Sequence, residues 1–224
     1  MILSYARTIN FDLLMDELFR ELMSYDHFPL MNKMKKEGEY AYRILISTVL
    51  SARTKDEVTA EASDRLFSRA PNPEKLSQLS EEELAHLIYP VGFYRVKSKN
   101  IKKIASILLN KYQGMVPNNF DDLLGLPGVG RKTANLVLGV AFNVDAITVD
   151  THVHRISNRI GLIETKTPLE TEHDLQNILP KKYWISFNSY LVAHGQIICK
   201  PLSPRCSKCK ITRYCKKVGV NKYR

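Results

Sequence analysis

No cysteine occurs in the first 198 residues of this 224-residue chain, and no aspartate or glutamate follows Asp174. Glycine and proline number only ten each and no short period repeats, which excludes collagenous and low-complexity chains. No apolar run approaches the roughly 18 residues a membrane-spanning helix needs. The N-terminal segment lacks a secretory pattern, because Asp12, Asp16, Glu17 and Glu21 interrupt its apolar positions and no cationic stretch precedes a clean apolar one. A soluble, intracellular chain is expected, cytoplasmic and without a membrane partner. An apolar content of 44% excludes a disordered chain, and the length suits one large domain or two small ones.

What is present is unevenly placed. The formal net charge is +10, yet residues 175–224 carry eleven Lys and Arg with no acid, while residues 1–174 sum to −1. A basic tail of this kind points to a polyanion, since clustered cations gain by releasing the counterions condensed on phosphate. Nucleic acid is the first candidate, an anionic membrane surface the second, and a merely solvated basic face stays open on charge alone.

All four cysteines fall at 199, 206, 209 and 215, in the spacing C-x6-C-x2-C-x5-C, with Pro201 and Pro204 stiffening the first loop. A disulfide framework staples distant parts of a small secreted chain, whereas this cluster spans 17 residues. Metal ligation is the better reading. Structural zinc more often uses two C-x2-C knuckles and here only Cys206 and Cys209 make one, so the spacing leans toward iron–sulfur and leaves zinc open.

Helical periodicity runs through the rest of the chain, and the fold class is read as all-α. Leu13, Leu14, Leu18 and Leu22 recur at helical spacing, and Leu45, Val49 and Ala52 mark a second apolar face ending near Arg53. Ala70-Pro71-Asn72-Pro73 closes the next helix, and Ser80 followed by Glu81, Glu82 and Glu83 reads as a capping box. Over residues 98–112, Ile101, Ile104, Ile107 and Leu108 form one stripe and the lysines are expected on the opposite face. Alternating β-branched segments are few, Ala146 to Val149 being the best of them.

One connection stands apart. Asp121 to Leu124 end a helix, Leu126-Pro127-Gly128-Val129-Gly130 make a tight turn, and Arg131 opens a helix in which Ala134, Val137, Leu138 and Ala141 repeat at i, i+3, i+4 and i+7. The glycines permit close backbone approach, and a helix start presents unpaired N–H groups and the positive end of the macrodipole, so the turn suits a phosphate. Lys132 lies in the first turn of that helix, where the dipole disfavours an ammonium. It is a candidate amine nucleophile able to form a Schiff base with a sugar carbon, the alternative being a phosphate contact. Asp150, in Thr148-Val149-Asp150-Thr151-His152-Val153, is placed as a helix N-cap and also offers a carboxylate to stabilise positive charge on a sugar during glycosidic cleavage.

Leu126-Pro-Gly-Val-Gly-Arg-Lys-Thr-Ala134, Val149-Asp-Thr-His-Val153 and the four-cysteine spacing, in that order, resemble the endonuclease III family of helix-hairpin-helix DNA glycosylases over roughly Tyr42 to Cys215. The resemblance implies a bifunctional DNA glycosylase/AP lyase of base excision repair that removes oxidised pyrimidines such as thymine glycol. A target nucleotide would leave the duplex for a cleft between two helical domains. Lys132 would attack C1′, Asp150 would assist, and β-elimination would cut the strand on the 3′ side. Double-stranded DNA carrying a damaged base or abasic site is then the partner of a monomeric, nucleoid-associated enzyme.

The resemblance also implies a [4Fe–4S] cluster on Cys199, Cys206, Cys209 and Cys215. It implies a six-helix domain over residues 34–144 holding the hairpin (about 120–139), and a discontinuous cluster domain of residues 1–33 and 145–224 with its cluster loop at 199–215. DNA contacts are expected from Leu126, Gly128, Val129, Gly130 and Thr133, with His152 near a phosphate. Leu50-Ser-Ala-Arg-Thr-Lys-Asp56 and Val91-Gly-Phe-Tyr-Arg95 match the family's duplex-entering segments, so Arg53 and Phe93 are candidates to fill the gap left by a flipped base. Many members that remove oxidised pyrimidines carry Gln where this chain has Arg53, which leaves the partner-base preference open. A core role for Phe93 also stays open. His154 is assigned no role, and Tyr183, Trp184 and Tyr190 are read as packing.

Overall fold

The computed structural model describes residue 6, residues 8–24 and residues 41–224. In chain order its α-helices are α1 (Phe11–Met23), α2 (Ala41–Ser51), α3 (Asp56–Arg69), α4 (Pro73–Gln78), α5 (Glu81–Ile88), α6 (Tyr94–Tyr112), α7 (Phe120–Leu124), α8 (Arg131–Phe142), α9 (Thr151–Ile160), α10 (Pro168–Ile178) and α11 (Trp184–Ile197). No strand occurs among the described residues, in agreement with the all-α reading. None of these helices is long and apolar enough to cross a membrane. The chain divides into two compact units, Leu30–Val144 and a discontinuous one of Met1–Pro29 with Asp145–Arg224. The expected boundary at 33/34 lies outside the described residues.

In the Leu30–Val144 unit α2 is the central helix, packed against α3, α6 and α8. Ile44 to Leu50 are all buried, so α2 is enclosed on every side and carries no separate polar face. The two polar residues of that run are satisfied within the core: the Thr48 hydroxyl donates to the Ile44 carbonyl at 2.6 Å and Ser47 bonds Ser63 across the α2–α3 contact at 3.0 Å. Ala52, expected on the apolar face, lies past the end of α2 and is exposed.

The six-helix expectation meets seven α-helical segments among the described residues of this unit. The extra one arises in the run read as a terminator: Asn72 caps Lys75 N–H at 2.9 Å and Pro73 occupies the first turn, so the stop of α3 is at once the start of α4. The Ser80–Glu83 capping box is present, with both reciprocal hydrogen bonds made.

On α6, Ile101, Ile104 and Leu108 are fully buried. One lysine of residues 98–112 departs from the outward placement expected, Lys102 Nζ donating to the Leu79 carbonyl at 2.7 Å; Lys97, just before that segment and one turn before Ile101, is buried on the apolar stripe itself.

In the discontinuous unit, α11 packs against α1 and α9. Leu14, Met15, Leu18 and Leu22 make the buried face of α1, whereas Leu13 is 49% exposed. Ala146 to Val149 are buried without pairing as a strand, and Thr148 is held by Asn188, whose amide donates to its carbonyl at 3.1 Å. Tyr183, Trp184 and Tyr190 pack against the core. The Trp184 indole N–H is satisfied by the Leu179 carbonyl at 2.8 Å. His154 belongs to a polar knot, its Nδ1 2.7 Å from the Thr171 hydroxyl, which in turn bonds Thr165 at 2.6 Å.

Candidate active site

The turn between α7 and α8 is built from local signals. Asn119 caps α7 by accepting from Asp122 N–H at 2.9 Å, and Gly128 takes a left-handed φ of 79°. A Cβ on Gly128 would stand 2.6 Å from Asn100 Nδ2 of α6, so a side chain here is strained by the backbone and requires the Asn100 amide to shift. Gly130 begins α8 as an N-cap without a side-chain hydrogen bond, and no acid lies in the first turn. As glycine, the N-cap residue itself offers no side-chain acceptor to the N–H groups of that turn, which a helix start leaves without intrahelical acceptors. The guanidinium of Arg131 covers the Phe120 ring at 4.6 Å, tying α8 to α7.

Leu126, Val129 and Thr133 are 3%, 6% and 8% exposed. What these three offer a ligand is backbone rather than side chain. Lys132, by contrast, is exposed on the first turn of α8. Gly128→Ala is expected to cost about 1–2 kcal/mol of stability, the usual penalty of a side chain in a left-handed position, and to weaken duplex binding. Gly130→Ala, with open space around its Cβ, should be milder on both counts. Urea unfolding and fluorescence anisotropy measure the two effects.

A second surface of the same unit brings together residues 51–54 and 91–95. Arg53 and Phe93 both adopt left-handed φ, 54° and 58°. Phe93 is 62% exposed, which corrects the alternative of a core aromatic, and the Arg53 guanidinium sits 5.7 Å from its ring centre.

In the discontinuous unit Asp150 caps α9, its Oδ1 accepting from His152 N–H at 2.8 Å and Val153 N–H at 2.9 Å. One carboxylate oxygen is thus committed to the helix start. His152 is half-buried, its Nδ1 3.2 Å from Arg155 Nη2, and lies so close to Gly195 that a Cβ there would collide with its ring.

The four cysteines are unpaired, half-buried and line one recess with Ile156, Ile160, Ile198 and Ile211. Among the described residues no group of three or more His, Cys, Asp or Glu is closed to metal-holding geometry. The loop carrying the cysteines is nevertheless latched to α9. Arg159 donates to the Lys200 and Pro201 carbonyls, both at 2.7 Å, and approaches Cys199 Sγ at 3.5 Å, while Arg155 donates to the Cys199 carbonyl at 2.9 Å. Lys216 and Val218 N–H donate to the Ile160 and Arg159 carbonyls at the end of α9, both at 3.0 Å.

Burial pushes the Cys206 and Cys215 thiols up from their ordinary range. At Cys199 burial also acts upward, but the His194 and Arg159 contacts outweigh it and the thiol is held down. His194 bonds the buried carboxylate of Glu21 and stands 3.8 Å from Cys209 Sγ. Burial acts to lower the His194 pKa, and hydrogen bonds with Cys199, Cys209 and Glu21 carry it well above the imidazole norm.

Residues 46–181 match the family model of the HhH-GPD superfamily base excision DNA repair proteins. Endonuclease III of Thermotoga maritima is 46% identical over 202 residues, covering 90% of this chain and 92% of that protein. The chain belongs to the endonuclease III family. Among solved structures, a trapped endonuclease III–DNA covalent intermediate in an estranged-adenine complex matches with a TM-score of 0.76 at 38% identity, over 84% of this chain and 92% of that one. A thermostable thymine-DNA glycosylase matches with a TM-score of 0.74 at 26% identity, over 96% and 92%.

Reading motifs in this endonuclease III family member missed the groups bonded to the loops singled out in each unit: Lys97 in one, and Arg155, Arg159 and the Glu21–His194 pair in the other. A signal existed for Lys97, which falls in register with Ile101, Ile104 and Leu108 on an apolar stripe. None existed for Glu21 and His194, 173 residues apart in sequence.

Proposed function

We propose that this endonuclease III family member excises oxidised pyrimidines such as thymine glycol from duplex DNA, with Lys132 as the nucleophile and Asp150 assisting it. The observation that carries the reading is an exposed lysine on the first turn of a helix that starts at a glycine hairpin suited to phosphate. Base excision and AP lyase action come with the family, as does DNA as the partner. The hairpin backbone at Leu126, Gly128, Val129, Gly130 and Thr133 would grip a phosphate. Arg53 and Phe93 would enter the space of the flipped base, and His152 would lie by a phosphate.

The neutral Lys132 amine attacks C1′ as the base departs with the bonding electrons and takes up a proton. Ring opening gives an imine between Lys132 and C1′. Loss of a proton from C2′ then expels the 3′ phosphate, and water releases the lysine from the imine. The role assigned to the Asp150 carboxylate is to stabilise developing positive charge on the sugar.

Four thiols in one apolar-lined recess, with a cationic guanidinium against one sulfur, fit the donor set of a [4Fe–4S] cluster, and we assign Cys199, Cys206, Cys209 and Cys215 to it. When bound, the cluster supplies a cross-link that shapes the basic loop. Residues 34–144 form the hairpin domain and residues 1–33 with 145–224 the cluster domain. The enzyme acts as a monomer in the cytoplasm, concentrated on the nucleoid through DNA.

Incubation of the iron-loaded protein with a thymine glycol duplex in the presence of borohydride tests the reading. A covalent protein–DNA complex is expected, with a cut on the 3′ side when borohydride is omitted. Failure to trap on that duplex and on one with an abasic site would leave a single-function glycosylase or a binding module.

The two roles of Asp150 separate by substitution. Asp150→Asn keeps a good cap and should leave stability within about 0.5 kcal/mol, yet slow excision by about 10²-fold through loss of the charge. Asp150→Ala should add a stability loss of about 1 kcal/mol. Thermal unfolding and single-turnover excision read the two separately.

A further inference from the structure

Lys97 takes no part in the chemistry above, yet it is the only lysine or arginine buried among the described residues, at 7% exposure. Its ammonium has three neutral acceptors: the Leu50 carbonyl at 2.8 Å, the Ala52 carbonyl at 2.5 Å and the Thr54 hydroxyl at 3.2 Å. These acceptors explain its position. The end of α2 leaves carbonyls without intrahelical donors and concentrates negative charge there, and a lysine reaching from α6 satisfies both needs. Burial brings the ammonium down to about 8, so it is held in place by geometry at a real desolvation cost. An apolar residue of the same length would fill the space without that cost but leave the carbonyls unsatisfied.

The same hydroxyl joins the second loop. Thr54 Oγ1 accepts from Gly92 N–H at 3.1 Å as well as from Lys97, and lies 3.4 Å from the Ala52 carbonyl to which it donates. The two backbones touch here: a Cβ on Gly92 would stand 2.7 Å from the Arg53 carbonyl oxygen. On either side of this junction are Arg53 and Phe93, both left-handed. Side-chain-bearing residues hold that conformation only where their surroundings over-determine it. The Lys97–Thr54–Gly92 junction supplies such surroundings for both at once.

We infer that Lys97 is a positioning residue that joins residues 51–54 and 91–95 into one rigid platform, so that Arg53 and Phe93 enter the duplex as a single preformed pair. The inference rests on the reading of these two loops as the duplex-entering segments. Its physical content is preorganisation: without the junction both side chains and their backbones must be ordered on binding, and that cost is subtracted from affinity. Chemistry at Lys132 on a substrate with no opposite strand has no need of the platform.

The test compares Lys97→Met with the unaltered, iron-loaded protein in three measurements. The first is single-turnover excision from a thymine glycol duplex. The second is fluorescence of 2-aminopurine placed opposite the lesion, which rises when the stack is entered. The third is strand cutting at an abasic site in single-stranded DNA. The expected result is a loss of about tenfold in duplex excision and in the fluorescence response. Single-strand cutting should stay within about twofold of the unaltered protein, a split that a general folding defect would not produce.

Unchanged duplex excision and fluorescence would overturn the role, as would a parallel fall in all three measurements. If circular dichroism shows that Lys97→Met does not fold, Thr54→Val removes the shared hydroxyl and should give the same split at a few-fold. Equal loss on single and double strands would overturn the proposal there too. An unaltered protein that excises the lesion without any 2-aminopurine response would show that the loops do not enter the duplex, and the proposal would fall with that reading. A protein that neither excises nor traps would instead mark a failure of the enzymatic reading.

Discussion

Lys132→Ala is expected to abolish the borohydride-trapped complex and to slow strand cutting at an abasic site by more than about 10³-fold, while duplex binding weakens only slightly. The contrast follows from what the residue shares with its neighbours and what it does not. On the proposed reading, phosphate gripping at the hairpin would come from backbone N–H groups of the turn and the first turn of α8, which the substitution leaves in place. The loss of one exposed lysine near a phosphate reduces the salt dependence of binding by about one counterion. The amine itself has no substitute, because the imine needs a primary amine at that point. Lys132→Arg makes the case sharper: it keeps the positive charge for a phosphate and removes the nucleophile, since a guanidinium does not deprotonate near neutral pH. A variant that binds like the unaltered protein and forms no covalent complex supports the reading. A Lys132→Arg protein that still traps would move the nucleophile elsewhere.

The second large effect is expected at the cysteines. Cys199→Ser should turn a brown protein colourless, reduce iron from about four atoms per chain to well below one, and lower stability by about 3 kcal/mol. The stability figure follows from loop closure. Cys199 to Cys215 span 17 residues, and a cross-link closing a loop of about that size removes roughly 3 kcal/mol of unfolded-state entropy. In a chain of this length that is a fall of about 6–12 °C in unfolding temperature. Cys199 is chosen because the clamps of Arg155 and Arg159 end on the carbonyls of Cys199, Lys200 and Pro201, so a serine there keeps these hydrogen bonds and removes only the sulfur with its Arg159 contact. Iron analysis, visible absorption and a thermal scan check the three parts. A colourless unaltered protein carrying one zinc per chain would overturn the [4Fe–4S] assignment and keep the four-cysteine site.

Much of the local structure was legible in the residues. Ser80 with Glu83 is a capping box in sequence and in space, and the glycines of Leu126–Gly130 break the helices where the turn lies. Capping and left-handed turns depend on neighbours within about four residues, so the chain states them directly. The apolar stripe of α6 was legible for the same reason. Ala70-Pro71-Asn72-Pro73 closed its helix as read, but the helix that starts at Pro73 was missed because a helix stop and a helix start use the same residue types. Leu13 was misplaced because two adjacent leucines cannot share one buried line, and only packing decides which faces in.

The groups that hold these loops in each unit lay beyond such reading. Lys97 was in register with its stripe, but a lysine on an apolar stripe does not say which carbonyls await it. Arg159 is 40 residues from Cys199, and Glu21 is 173 from His194.

The residues by themselves determined the all-α class, the hairpin, the Asp150 cap, the cysteine cluster and the basic end of the chain. Each depends on periodicity, spacing or backbone preference over a short stretch. Tertiary structure alone decided that Leu126, Val129 and Thr133 turn their side chains inward, that Phe93 is outside the core beside Arg53, and that a buried lysine links their two loops. Those outcomes belong to long-range packing, where a side chain's surroundings are set by elements the local sequence does not contain.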